Sequence, residues 1–517
     1  MEEQQELPQG WIWTTVNQLG KSVTGNTPST SNPEFYGGPI PFFKPGDLGS
    51  GYAISEAETN ITEAGAASAR ILPPYSILVT CIGATIGKTG FSTVAGATNQ
   101  QINALVPAAA VVVPQFAYFG FISPVLYRQI IDNASSTTLP ILNKSKFEAL
   151  AFPLPPLPEQ RRIVAKLEEL FSKLDAGVAA VRRTQALLKR YRQSVLHAAV
   201  TGELTRAWRE AHPAPAETGA ALLERIRAER RAQWEAAQVA KRGGQLPLGD
   251  GWKSKYVEPG EPDTSELPDL PEGWAVARLD IIASLKGGVT KDSKRQHVES
   301  RSVPYLRVAN VQRGYLDLTE IKEIEASEEA IRDLALQYGD VLFNEGGDLD
   351  KLGRGWIWEN QVPECIHQNH VFRARTYLPE MASRLISYWG NSFGQLYFMR
   401  VGKQTTNLAS INLSKLSEFP VPLPPLAEQE QIVVEVEARI SVLDKLEQTL
   451  TDELKRAERL RQSILHRAFT GRLVPQDATD EPAAALLARL REAPATSARA
   501  KPARGRKAVA QQPTLGL

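Results

Sequence analysis

The chain contains itself twice, and this repetition limits the fold to two copies of one unit. Residues 152–160 read FPLPPLPEQ and residues 421–429 read VPLPPLAEQ, so Pro153 answers to Pro422 at a displacement of 269 positions. The displacement holds without a gap for about fifty residues, longer than any local motif. It carries residues 192–204, RQSVLHAAVTGEL, onto residues 461–473, RQSILHRAFTGRL, with nine of thirteen positions identical. At a displacement of 263, residues 7–11 (LPQGW) match residues 270–274 (LPEGW), and residues 41–48 (PFFKPGDL) parallel residues 304–311 (PYLRVANV). Between residues 60 and 139 only scattered matches remain, such as SILVT at 76–80 with DVLFN at 340–344. A shared scaffold with a differing middle suits two recognition surfaces that read different ligands, and loop drift after duplication produces the same pattern.

Each copy ends in a long amphipathic helix. Ile163, Leu167, Leu170, Leu174, Val178, Val181, Leu188, Val195 and Ala199 recur at coiled-coil spacing, interrupted by Arg192. Ile432, Val436, Leu443, Leu450, Leu454, Ala457, Ile464 and Ala468 do the same in the second copy. Prolines forbid helix before each run, and Thr201-Gly202 and Thr470-Gly471 supply the stops. At 1.5 Å per residue each rod spans about 60 Å. One apolar stripe cannot stay in water, so the rods either pack on each other, antiparallel, or serve as two separate domain-core helices.

After each rod comes a repeated short helix, ALLERI at 221–226 and ALLARL at 485–490, with the character of a docking element. Residues 241–269, rich in Gly, Pro and acids, read as a linker. Lys501, Arg504, Arg506 and Lys507 form a basic tail, which either touches phosphate or stays solvated.

The chemistry that is missing matters as much. Residues 82–89, IGATIGKT, follow a strand-like run and approach a phosphate-binding loop, but the first glycine stands one place late, at Gly83. His367 and His370 form the one close histidine pair, and no nearby Cys or further His completes a metal set. No nucleophile elbow, cofactor loop or paired-carboxylate pattern stands out. Cys81 and Cys365 lie far apart, and no signal-peptide pattern opens the chain, so a reducing, cytoplasmic setting is expected. The most apolar stretch, residues 104–121, holds Pro107 and Pro114 and reads as a strand followed by a helix, not a membrane span. Lys plus Arg number 59 against 58 Asp plus Glu, a net charge of +1, so any basic surface for nucleic acid must be local.

The duplicated LPxGW openings, the PLPPLxEQ segments and the RQSxLHxAxTGxL helix ends, in this order, resemble the specificity subunit of type I restriction-modification systems. The resemblance implies a mixed α/β (α+β) fold: two globular target recognition domains joined by a pair of long antiparallel coiled-coil helices, a pseudo-twofold internal repeat. On this reading recognition domain 1 covers 1–157, the central helix 158–204, a docking helix and linker 205–268, recognition domain 2 269–425, the C-terminal helix 426–474, and a docking helix with basic tail 475–517. The resemblance further implies a non-catalytic chain reading a bipartite, asymmetric target in double-stranded DNA. Two adenine-N6 methyltransferase subunits and ATP-driven motor-nuclease subunits would be its partners. S-adenosylmethionine, ATP and Mg would bind those partners and no cofactor or metal this chain.

Bases are read best in the major groove by Arg or Lys at guanine and Asn or Gln at adenine, while other basic and hydroxyl groups hold phosphate. In the divergent middle of the first copy such residues are Lys44, Thr85, Lys88, Asn99, Gln100, Gln101 and Lys144. In the second they are Arg307, Asn310, Lys351, Arg354, Gln368, Asn369, His370, Lys403, Gln404 and Thr405. A competing reading from another class is a coiled-coil adaptor that joins proteins without reading DNA; salt-sensitive, sequence-specific binding separates the two.

Overall fold

Proline denies helix to the segments around Pro153 and Pro422, and helix starts directly beyond them. The computed structural model describes residues 6–49, 51–135, 139–245, 249–290, 300–404 and 409–492. In it the two long helices run Leu157–Val200 and Leu426–Phe469, 44 residues each. Both stop at a glycine in the left-handed conformation, φ +73° at Gly202 and +69° at Gly471, which side-chain-bearing residues adopt only at a cost.

The chain divides into two compact units, Met1–Val181 with Asp452–Leu517, and Arg182–Thr451. Each therefore owns one globular domain, the first half of the helix that follows it and the second half of the other helix. In unit 1, Gln476 donates to Glu159 (3.3 Å), while Arg461 covers the Phe171 ring at 4.4 Å and bonds Asp175. Numbers rise along one helix as they fall along the other, so these halves pair antiparallel. Ile163, Leu167, Leu465 and Ala468 are buried in one apolar cluster there. Unit 2 repeats the arrangement. Arg192 bonds Asp444 and Glu447, Thr205 donates to Glu428 (2.7 Å), and Val195, Ala199, Ile432 and Val436 share a core. Arg192, which interrupts the apolar spacing, thus has its partners on the opposite helix.

The globular domains share one frame. In unit 1 the entering strand Ile12–Thr15 pairs antiparallel with the leaving strand Ala151–Leu154; in unit 2 Ala275–Arg278 pairs with Pro420–Leu423. Entry and exit thus meet three residues from the start of a long helix. Beyond them stands a sheet of Gly20–Thr24, Ile102–Pro107, Ile77–Thr80, Thr89–Ser92 and Ala53–Ile54, in that spatial order. Its counterpart is Ala283–Lys286, Val371–Thr376, Val341–Asn344 and Gly355–Ile357. A three-stranded sheet accompanies each: Asn60–Ile61, Tyr36–Phe43 and Ala97–Thr98 in one, Lys322–Ser327, Ser300–Leu306 and Ile366–His367 in the other. The apolar stretch near residue 104 resolves into strand Ile102–Pro107 and helix Pro114–Phe121, its prolines ending the one and opening the other. Among the described residues no helix is long and apolar enough to cross a membrane.

The repeated motifs converge in each unit. Trp11 donates its indole N–H to the buried Glu159 carboxylate (3.0 Å), and Trp274 donates to Glu428 (2.8 Å). The neighbouring glutamines bind backbone: Gln160 accepts from Val113 N–H and donates to the Pro155 carbonyl, and Gln429 accepts from Ala382 N–H and donates to the Pro424 carbonyl. Pro8 fills the place a side chain at Gly471 would need, and Pro271 the same place at Gly202. The LPxGW opening, the Glu-Gln pair and the Thr-Gly stop are thus parts of one joint, made twice.

The segments after the long helices pack onto these joints. Ala483–Glu492 buries Ala483 and Leu487 in the unit 1 core, and Gly219–Ala240 buries Leu222 and Ile226 in that of unit 2. The latter has 22 residues, longer than the short docking element expected. Its extension, RAERRAQWEAAQVA, contains neither Gly nor Pro and is made largely of strong helix formers.

Candidate nucleic-acid interface

Strand direction decides which loops share an edge. In unit 1, Thr24 pairs with Asn103 and Thr80 with Ile102, while Thr89 faces Val79, so the segments 25–28, 81–88 and 99–101 leave the sheet at one end. The opposite end continues past Pro107 to Val113, which the long helix holds through Gln160. In unit 2, Lys286 pairs with Arg373, Asn344 with Val371 and Phe343 with Gly355, so the segments 287–290, 345–354 and 368–370 likewise emerge together. The shared frame presents its unlike segments on the edge away from the helix.

In unit 1 this edge is knitted by local bonds. Thr27 donates to Gln100 (2.6 Å), Asn99 N–H donates to the Phe43 carbonyl, and Gly83 N–H donates to Pro140. Thr85 and Lys88 are exposed on the turn joining strands Ile77–Thr80 and Thr89–Ser92. A strand follows that turn where a phosphate-binding loop needs a helix start, so the loop's nucleotide cradle is not formed. Gln101 borders the turn at Gly83, and the Lys88 stem borders Gly49. Lys44 is half-buried and donates to Thr59 (2.8 Å). Lys144 is exposed at the start of helix Lys144–Glu148, 3.6 Å from the Glu148 carboxylate. Asn99 is buried, giving its amide to Gln101 (2.9 Å) and accepting from the Gln101 backbone.

Unit 2 brings its candidates together in two groups. Arg307, Arg354 and Gln368 surround the bend at residue 308: Arg354 donates to the Val308 carbonyl (3.4 Å), Gln368 N–H donates to Leu306, and Arg307 pairs with Glu320 (3.4 Å). Asn310 is buried, accepting from Arg307 N–H and donating to the Asp317 and Glu320 carbonyls. Asp47 accepts from Lys44 N–H in the same turn of unit 1, so this position braces the loop in both copies. The second group gathers around strand Gly346–Gly347, which pairs with Ala409–Ser410 beside Lys403–Gln404. Here Lys351 pairs with Asp348, His370 with Glu345, and Lys403 is exposed. Asn369 is half-buried, its amide 3.4 Å from His370. Thr405 and the basic tail lie outside the described residues.

His367 and His370 face different partners. His367 is fully buried, bonds the Val371 carbonyl at 2.6 Å, and burial pushes its pKa down to about 4. Among the described residues no group of three or more His, Cys, Asp or Glu is placed to hold a metal ion. Thr27 and Glu345, absent from the sequence-based set, also stand at these edges. A hydroxyl in a Gly-Asn-Thr turn was legible as a possible contact; an acid such as Glu345 carried no such signal.

Two domains of one design, each seated at the start of a long helix and carrying different polar edges, define a duplicated recognition protein. The family model of the type I restriction modification DNA specificity domain matches residues 8–179 and 271–456. The chain belongs to the family of type I restriction-modification DNA specificity subunits. It is 26% identical over 390 residues to the EcoKI specificity subunit of Escherichia coli K12, covering 73% of this chain and 72% of that one. It is 33% identical over 174 residues to the HindI specificity subunit of Haemophilus influenzae, covering 32% and 37% respectively. A solved chain from a study of complex assembly and conformational transition of the type I R-M system shares the fold, with a TM-score of 0.63 at 17% identity, covering 90% of this chain and all of that one.

Proposed function

We propose that each unit reads one half of a split, asymmetric DNA target through the loop edge of its sheet, and that the long helices set the spacing between halves by their length. The single observation that supports this most is the contrast within the repeat. The joints and helices are built alike, while the edges present Thr85, Lys88, Gln100 and Gln101 in one unit and Arg307, Lys351, Gln368 and Lys403 in the other. Cationic stems and amides are the groups that hold phosphate and read purines. A pure adaptor has no need of two unlike polar edges on one frame.

On this reading the chain is non-catalytic. Two adenine-N6 methyltransferase subunits bring S-adenosylmethionine, and motor-nuclease subunits bring ATP and Mg. Methylome sequencing of a host with and without this chain tests the proposal: one bipartite motif with two different halves should depend on it. An unchanged methylome, together with no protection of any sequence over random DNA by the assembled complex, would sink the reading.

A further inference from the structure

Tyr52 and Tyr315 occupy the same place in the repeat, at a displacement of 263, each following a glycine a few residues beyond Lys44 or Arg307. Their surroundings differ. In unit 1 the Tyr52 hydroxyl donates to Glu168 of the first long helix (2.8 Å). Its ring stacks on Phe119 (5.2 Å, 14°) and on Phe91 (5.9 Å, 13°) and tilts against Tyr118 (5.4 Å). Phe171 closes the cluster against Phe119 at 5.7 Å, under the Arg461 guanidinium. Burial, with the Glu168 carboxylate next, pushes the Tyr52 phenol above its usual range, so it remains a donor throughout the working pH range.

Unit 2 keeps the two end groups and loses part of the filling. Gln160 and Gln429 bind equivalent N–H groups at Val113 and Ala382, which fixes the displacement here at 269. Glu168 then answers to Glu437, Phe119 to Tyr388, Tyr118 to Ser387 and Phe171 to Ile440. Two rings are replaced by small or aliphatic side chains, and a groove of about 890 Å³ lies there, lined among others by Tyr315, Tyr388, Ile440, Glu437 and Trp356, whose ring tilts against Tyr388 at 6.0 Å. Tyr315 is 56% exposed, against 38% for Tyr52. Glu437 pairs with Arg384.

We infer that Tyr52 and Glu168 form a positioning clamp that ties the first domain, through the segment beyond Lys44, to its long helix, and that the corresponding clamp of the second domain, Tyr315 with Glu437, stands open. A stacked ring with a hydrogen-bonded tip resists both sliding and tilting of the segment that carries it. The open groove leaves the second domain's segment untied to its long helix, since the carboxylate that would hold it is engaged elsewhere. Gly314 N–H to the Gly355 carbonyl (3.3 Å) and Arg313 to the Asn391 carbonyl (3.0 Å) hold that segment to its own domain. The first domain is therefore held at a set angle to its helix, and the second, lacking this tie, adjusts to the DNA it meets.

This inference rests on the split-target reading and predicts an asymmetry within it. The assembled complex with its methyltransferase partner is measured on DNA carrying the correct half-sites with the spacer unchanged, or one base pair shorter or longer. Tyr52→Phe keeps the ring and removes the hydroxyl; its preference for the correct spacer should fall about fivefold, the worth of one hydrogen bond. Glu168→Gln should act in the same direction. Half-site sequences should stay as in the parent, and the melting temperature should fall by no more than about 2–4 °C, the equivalent of one hydrogen bond in a unit of this size. A merely structural role would lower it without moving spacer preference. Tyr315→Phe should leave spacer preference unchanged. The clamp is refuted if Tyr52→Phe retains full spacer preference, or loses half-site sequence along with it. An equal effect of Tyr315→Phe refutes the asymmetry. A parent complex that recognises no split target refutes the underlying reading instead.

Discussion

Arg192 of the first long helix bonds Asp444 of the second, and at a displacement of 269 the same pair returns with the helices exchanged, Arg461 of the second on Asp175 of the first. A duplicated chain need not reproduce a contact in this crossed form unless the two helix halves meet alike in both units. Each arginine interrupts an apolar stripe, and a polar group at such a place selects register more than it adds stability. The carboxylates are well exposed, with Asp444 at 60% and Asp175 at 62%.

Exchange of the charges tests that role. Arg192→Asp alone places like charges together, and Asp444→Arg with it restores opposite signs. The double-mutant cycle should give a coupling of roughly 0.2–1 kcal/mol, the range of exposed ion pairs. The coupling should shrink at 1 M salt, where the Debye length is about 3 Å. Thermal unfolding of all four variants measures it. Zero coupling at low salt would mean that the pair contributes nothing to helix alignment.

The joint around Glu428 is a different case, because its carboxylate is 1% exposed and holds Trp274, Thr205 and Arg209 together. Glu428→Ala strands an indole N–H, a hydroxyl and a guanidinium in a place closed to water. Breaking a buried pair in this way costs about 3–5 kcal/mol. For a unit of this size that is a fall of roughly 6–15 °C in melting temperature. Glu428→Gln keeps one acceptor oxygen, enough for the indole, and turns an amide NH2 toward the Thr205 hydroxyl, which can accept. Only Arg209 loses its partner, so this variant should lose distinctly less. Calorimetry on the whole chain reads both, and equal losses would show that the charge on Glu428 is what matters.

The two ends of each copy were legible because their chemistry is local. Prolines 153 and 422 bar helix, a heptad stripe demands a partner, and Gly202 and Gly471 end a helix wherever they stand. The partners of Glu159 and Gln160 were not, since Trp11 lies 148 residues away and Val113 47, and no spacing rule connects them. The polar edges were half legible. Lys88 and Lys403 stand exposed where a reader needs cations, but Asn99 and Asn310 turn inward to brace loops. An asparagine in a turn and an asparagine on adenine look the same in sequence, because both uses draw on one amide. The open groove of unit 2 was invisible for a related reason: it follows from what Ser387 and Ile440 fail to fill.

Burial of His367 makes unit 2 sensitive to acid. Its folded pKa, about 4, lies below the ordinary histidine value of 6.5, so the folded state binds fewer protons than the unfolded chain between those values. The associated stability is fully present above pH 6.5 and is lost as pH falls toward 4. The loss amounts to about 3 kcal/mol, from 1.36 kcal/mol per unit of displacement. His367→Gln cannot titrate and should flatten the fall in melting temperature between pH 6.5 and 4, whatever it costs at neutral pH. An unchanged slope would place the acid sensitivity elsewhere.

If the polar edges read DNA as proposed, salt separates their phosphate contacts from their base contacts. Lys88 and Lys403 end in flexible ammonium groups, which suit a phosphate, whereas Gln101 carries the paired donor and acceptor that match adenine. Lys88→Ala and Lys403→Ala in the assembled complex should each weaken binding to all targets alike. Each should lower the slope of log K against log salt by about 0.9, one released counterion per lost phosphate. Gln101→Ala should leave that slope alone and relax one base of one half-site, by roughly 1–3 kcal/mol of discrimination. Because Gln101 and Lys403 belong to different units, changes at Gln101 must never move the half-site that Lys403 flanks. Binding titrations across salt and target series report slope and base preference together. A slope that falls with Gln101→Ala, or a base preference that shifts with Lys403→Ala, would reverse the two assignments.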